Sequence, residues 1–244
     1  MKRWLLLLLM CSALHAQTPV NGDACYGQQN MCGLKLQATA GNTAVFFVAS
    51  DVGSGNTLTV GDSTHDTVIS CGAGVFSATF YGGGNGGILK AYLISFATSG
   101  PEWITATAYS TVQPPVNEGE DVVGIAEQYS GNLYCDKSAG GWGSYTTTGL
   151  QCESCTAMQF MPVGTAKTLA TTQANELLVG AFFTWAIKLP VVGAGFAARQ
   201  QENILNGFLG VLEDMSVSAT GTYAATANVP NNQQWMGLII TLHS

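Results

Sequence analysis

The sequence predicts an all-β protein, an antiparallel two-sheet sandwich that is jelly-roll-like and stapled by disulfides. Three observations carry this. Short apolar or alternating runs recur along the chain, each closed by Gly, Asn, Asp or Pro, and no long segment repeats apolar residues at helical spacing. Glycine is abundant, at 30 residues, and the turn stretches GSGN, YGGGNGG, SGPE, VQPPVNEGE and VPNNQ divide the runs. Seven cysteines stand in a chain that opens like an exported one. Many strands with turn breaks and no helices between them point to layered antiparallel sheets.

The first element is MKRWLLLLLMCSALHA, in which Lys2 and Arg3 precede an apolar run and small residues follow up to Ala16. This is the layout of a secretory signal peptide over residues 1–16. The apolar run is too short to span a bilayer, so no membrane span is expected in the mature form. Cys11 opens a lipoprotein alternative, although Met10 before it departs from the small residue that lipid processing wants. The expected location is outside the cell, at its surface or in the periplasm. Removing residues 1–16 takes two cations and no carboxylate, moving the formal charge from −7 to −9. So few cations exclude nucleic acid as a partner, because nothing would release phosphate counterions. Anionic lipid is excluded in the same way.

Next comes an N-terminal extension, 17–39, with Cys25 and Cys32 close enough for a local loop around YGQQNM. Six cysteines remain after export: Cys25, Cys32, Cys71, Cys135, Cys152 and Cys155. Their even number points to disulfides, and Cys135 with Cys152 or Cys155 would close a second loop worth about 3 kcal/mol. The alternative for CESC is a zinc or redox motif. Zinc wants a second matched pair or histidines, and the mature part has only His65 and His243. A redox pair wants a helix behind it, and none is indicated.

Residues 40–244 read as a single β-sandwich domain, with candidate strands at 43–50, 57–60, 67–71, 75–81, 88–97, 103–110, 121–130, 176–187, 205–214, 221–227 and 234–243. Alternation sorts their faces. In the last, Met236, Leu238, Ile240 and Leu242 point to the core, while Trp235, Gly237, Ile239 and Thr241 face a groove or solvent. In 103–110, Trp103, Thr105, Thr107 and Tyr109 oppose Ile104, Ala106 and Ala108. The run ELLVGAFFTWAI is apolar on both faces and reads as a central strand.

The segments GNTAVFFVAS, LTVGDSTHDTV, KAYLISFATSGPEWITATA, GIAEQYSG and TTQANELLVGAFF follow one another in an order that resembles a set of exported bacterial β-sandwich proteins. Those proteins carry an E-[YF]-S-G element, here with Gln128 inserted, and a T-T-x-x-N-E-L-L strand. The resemblance covers Ala40 to about Leu242. It implies the fold and export, and it hands over no catalytic residue because the family has no established activity.

Glu127 is the residue that asks for an explanation, since it shares a strand face with Val123, Ile125 and Tyr129. A carboxylate on an inward face must be paired or hydrogen-bonded. In one reading it pins the Tyr129-Ser130-Gly131 turn. In the other it is the general acid of a carbohydrate-active hydrolase, which needs a second carboxylate, and Asp136 is the candidate. Asp62 and Asp66 flank His65 in VGDSTHDTV. They are either candidate ligands of a structural calcium ion or the caps of a hairpin turn. YGGGNGGIL lacks the lysine and helix of a phosphate loop, and no G-x-S-x-G elbow is present. Trp142 and Tyr145, in a Gly/Ser/Thr stretch read as a loop, and Trp103 and Tyr109 are candidate sugar-stacking aromatics. The expected function is therefore a secreted, non-catalytic sandwich without a cofactor that binds glycan or another extracellular ligand. A structural or adhesive surface protein whose partner is another protein is the second class, and a hydrolase using Glu127 is the third.

Overall fold

A computed structural model describes residues 17–27, 30–50, 57–64, 66–76, 87–109, 121–144, 160–166, 168, 170–185, 189–203, 208–230 and 234–244. Residues 1–16, read above as a signal peptide and including Cys11, lie outside them, as do His65, Tyr145, Cys152 and Cys155. The described residues are all-β, with antiparallel sheets packed on one another and no helix. Among them no helix is long and apolar enough to cross a membrane.

The N-terminal half supplies β1 (Pro19–Gly27), β2 (Met31–Ala38), β3 (Thr43–Ser50), β4 (Thr57–Asp62), β5 (Thr67–Phe76), β6 (Gly87–Ser95), β7 (Gly100–Tyr109) and β8 (Val122–Tyr129). They form a five-stranded sheet of order β1-β8-β3-β6-β5 and a three-stranded sheet of order β2-β7-β4. The C-terminal half supplies β9 (Tyr134–Ser144), β10 (Phe160–Gly164), β11 (Glu176–Trp185), β12 (Val191–Val192), β13 (Ala197–Asn203), β14 (Phe208–Val217), β15 (Thr226–Pro230) and β16 (Gln234–His243). Their sheets have the orders β13-β14-β11-β16-β9 and β10-β15-β12.

Adding eight to each strand number of the first half reproduces the second half strand for strand. The correspondence reaches single residues. The register of β5 on β6 shifts between Ser70 and Gly72, and that of β13 on β14 shifts between Ala198 and Gln200. Cys71 and Arg199 are thus equivalent bulged residues. A second matched pair of bulges lies at Val20 in β1 and Asp136 in β9. Ahead of the equivalent strands β3 and β11, Gly41 and Asn175 both hold positive φ, 81° and 61°. The antiparallel two-sheet arrangement expected from the sequence is therefore built twice, in two like halves.

The halves meet through their five-stranded sheets. Val45, Phe47, Leu89, Leu93 and Ile125 of the first pack with Val179, Phe183, Leu212, Leu238 and Ile240 of the second. The opposite faces of the same strands are also covered. Phe46 and Val48 pack under Leu34, Leu36, Ile104 and Ala106, and Leu178, Phe182 and Ile239 pack under Ala225 and Ala227. Each central strand is thus buried on both faces, which is why TAVFFVAS and ELLVGAFF show no alternation. The groove expected beside Ile239 and Thr241 is absent, because the three-stranded sheet β10-β15-β12 covers that side and both residues are fully buried.

Several local expectations change. Residues 17–39 supply β1 and β2, which pair with β8 and β7 and belong to the two sheets of the first half. The segments 67–71 and 75–81 contribute to one strand, β5, bent by its bulge. Cys25 pairs with Cys32 as expected, but Cys135 pairs with Cys71, with Cα atoms 5.6 Å apart, and not with Cys152 or Cys155. The reason is topological. Cys135 opens β9 on the face that meets the first half, where the β5 bulge delivers Cys71.

Candidate functional site

Strand β7 is amphipathic by strict alternation. Glu102, Ile104, Ala106 and Ala108 are buried, so Trp103, Thr105, Thr107 and Tyr109 point outward. Trp103 is 52% exposed and Tyr109 56%. The register puts Lys35 beside Trp103, and it puts Gly33 and Gly61 on either side of Thr105. Met31 and Thr59 flank Thr107, and Thr57 flanks Tyr109. The outer face of β2-β7-β4 is therefore a floor of Gly and Thr along β7 and β4, with an aromatic ring near each end and the exposed Met31 at the β2 edge. Across the floor, the Thr105 and Thr59 hydroxyls donate long bonds of 3.4 Å to the Gly61 and Thr107 carbonyls. The Lys35 ammonium sits 5.7 Å from the Trp103 ring centroid, a cation–π contact that steadies the indole. Among the described residues no third sheet covers this face, whereas the inner faces of all four sheets are packed.

Of the other aromatic pair, Tyr145 lies outside the described residues and Trp142 does not join this face. Trp142 is 45% exposed, but it lies in strand β9 rather than in a loop, at the edge of the second central sheet. The glycines around it are strand residues. A Cβ on Gly141 would lie 2.8 Å from the Gly164 carbonyl oxygen, and one on Gly143 would lie 2.7 Å from Trp235 Nε1. Close packing, not a turn, accounts for that composition.

Glu127 is 4% exposed and faces the second half. Its Oε2 accepts a 2.9 Å hydrogen bond from Gln200 Nε2 in β13. The turn it was expected to pin is held by other groups: Ser130 Oγ accepts from Thr18 N, Asn42 Oδ1 accepts from Gly131 N, and Thr43 Oγ1 donates to the Gly131 carbonyl. Burial raises the Glu127 pKa, the Gln200 bond and Arg199 oppose the rise, and Asp214 adds to it. Close by, Asp214 Oδ2 accepts from Tyr129 Oη at 2.9 Å and from Arg199 Nε at 2.6 Å. Burial first, and the Asp214 carboxylate second, push the Tyr129 phenol well above its ordinary value. This polar cluster fills one lateral edge of the seam between the halves, and its side chains are engaged with one another.

Asp136 lies at the opposite edge. Four strand spacings of the second central sheet, roughly 19 Å, separate β9 from the β13 strand that Glu127 touches. The two carboxylates cannot bracket one glycosidic bond. Asp136 accepts from Lys137 Nζ at 2.7 Å and from Thr172 N at 2.6 Å. Burial raises its pKa, but these donors outweigh burial and hold it at about 2. Its neighbour Glu176 is buried with neither oxygen in a hydrogen bond of ordinary geometry. Burial, the Thr241 hydroxyl and the Asp136 carboxylate act on it, and its pKa is raised. The surroundings of the pair are donors (Lys137, Thr172, Thr241), which suit a shared proton better than a metal ion.

Asp62 and Asp66 act as turn caps. Asp62 Oδ1 accepts from Thr64 N and Asp66 N, and Asp66 accepts from Ala97 N and Thr64 Oγ1. Buried Glu102 tightens the same turn through Ser63 and Thr64. No cluster of three or more His, Cys, Asp or Glu suited to a metal ion occurs among the described residues.

No protein-family model, curated protein or solved structure matches the chain. The functional reading accordingly rests on the site itself. The sequence identified Trp103 and Tyr109 by parity. It missed Gly33, Gly61 and Lys35, whose relevance appears only once β2 and β4 are paired on either side of β7.

Proposed function

We propose that the chain is an exported, non-catalytic carbohydrate-binding protein that takes its ligand on the outer face of β2-β7-β4. The observation that carries this is the pair Trp103 and Tyr109, both more than half exposed on one face of one strand, with Gly and Thr between them. Large exposed aromatics in register above a small polar floor offer sugar rings an apolar stacking surface and hydroxyl partners together. Two disulfides fit an oxidising compartment, and the resemblance to exported bacterial sandwiches adds export. The buried carboxylates support binding over hydrolysis, because Glu127 is closed off at the seam and Asp136 sits at its far edge.

A glycan array with the mature chain tests the reading. Retention is expected for the wild type and is lost in Trp103→Ala and Tyr109→Ala at unchanged melting temperature. Glu127→Gln retains it. Full binding by the Trp103→Ala/Tyr109→Ala double variant would remove the reading.

A further inference from the structure

We propose that the ligand of this face is an uncharged polysaccharide lying along β7, with one chain touching Trp103 and Tyr109 at once; this rests on the carbohydrate-binding reading above. Length is the first argument. The two aromatics are six residues apart on one strand, roughly 20 Å at strand rise, which is longer than any single sugar ring. An extended chain engages both, whereas a monosaccharide or disaccharide reaches one. The floor supports this course. Gly33, Gly61 and Thr105 form one level row across the sheet, and Thr59, Thr107 and Met31 form the next, so no side chain larger than Thr stands between the rings on β7 itself. A protein partner would want a large apolar anchor at the centre of the patch. Here the centre, on β7, is Thr105 and Thr107, and the one large apolar side chain between the rings, Met31, stands to the side on the edge strand β2.

Charge is the second argument. The outward positions of the three strands are Met31, Gly33, Lys35 and Gln37 in β2, Pro101, Trp103, Thr105, Thr107 and Tyr109 in β7, and Thr57, Thr59 and Gly61 in β4. They include one cation and no carboxylate, in a chain of formal charge −7. A polyanion meets the repulsion of the whole molecule; a polycation is drawn by that same charge, but on this face it finds Lys35 and no carboxylate to pair with. A neutral chain avoids both. Lys35 remains over the Trp103 ring and donates to sugar hydroxyls.

Affinity electrophoresis of the mature protein in gels containing a neutral linear glucan, a polyuronate or a deacetylated chitin tests the charge, and calorimetry with neutral oligosaccharides of increasing length tests the reach. Retardation is expected in the neutral gel alone. Affinity should climb with oligosaccharide length until both rings are spanned, and each of Trp103→Ala and Tyr109→Ala should weaken the long ligand by about tenfold. Stronger retardation by the polyuronate or the chitosan overturns the inference and leaves carbohydrate binding standing. So does a disaccharide that binds as tightly as the longest oligosaccharide. No retention on any glycan overturns both.

Discussion

Gly22 lies in β1 opposite Glu127, where a Cβ would collide with the Gln200 amide and the Glu127 carboxylate. Glycine here is what lets the Glu127–Gln200 hydrogen bond cross the seam. Gly22→Ala is expected to cost about 1–3 kcal/mol, read from urea denaturation, because a rigid strand must shift or the bond must break. Glu213, whose side chain is fully buried between β14 and the β12–β15 layer, makes a different kind of prediction. Its Oε2 accepts from Gly193 N at 2.9 Å, while Oε1 is buried without a partner. Burial, only partly offset by the Gly193 and Thr226 backbone donors, pushes its pKa from 4.5 to about 7. The folded state then binds more protons than the unfolded chain between those values. Its contribution to stability is present in full below pH 4.5 and is lost as pH rises through 7. Denaturation midpoints measured from pH 4.5 to 8 should fall by an amount equivalent to about 3 kcal/mol at most. Glu213→Gln should flatten that decline, and an unchanged slope in the variant would assign it to other groups.

At the scale of elements, the equivalent bulges of β5 and β13 carry different chemistry. The first presents Cys71, bonded to Cys135 at the start of β9. The second presents Arg199, paired with Asp214 beside Tyr129. One edge of the seam is closed covalently and the other by an ion pair and hydrogen bonds. The disulfide spans 64 residues of sequence and should be worth about 4 kcal/mol by loop entropy. Arg199→Met strands a buried carboxylate, but the arginine side chain is 29% exposed, so a loss of about 1–3 kcal/mol is expected. Calorimetric melts of Cys71→Ala/Cys135→Ala and of Arg199→Met should therefore rank the covalent edge as the larger contributor. Peptide mapping under non-reducing conditions should recover Cys71 linked to Cys135, and a Cys135 peptide bridged elsewhere would contradict the topology.

For the whole molecule, a large core lies between the two halves, in addition to the one inside the first. Phe47, Leu89 and Ile125 on one side and Phe183, Leu212 and Leu238 on the other would face water if the halves were separated. A face of that kind on a five-stranded sheet is an aggregation surface. Fragments 17–131 and 132–244 expressed apart are expected to be insoluble or to self-associate, and co-expression should return a soluble pair. Size-exclusion chromatography with circular dichroism distinguishes these outcomes. A monomeric, folded fragment would mean that the seam is dispensable.

Composition and local pattern alone determined that the described residues are all-β, that Glu176–Trp185 is a central strand and that Trp103 and Tyr109 share an outward face. The outward pair is a period-two property and the central strand an unbroken apolar run, and each strand carries its own signal. The strand β9 was not legible, because its glycines serve close approach to Gly164 and Trp235, which are distant in sequence. Nor was β13, whose polar AARQQEN sits at a sheet edge where alternation is weak. Only the tertiary structure decided that the sandwich occurs twice, that Cys135 meets Cys71, that Glu127 meets Gln200, and that Gly33 and Gly61 level the floor beside Thr105. All of these depend on which strands become neighbours. Strand pairing is settled by burial across the whole molecule, which no local stretch of sequence encodes.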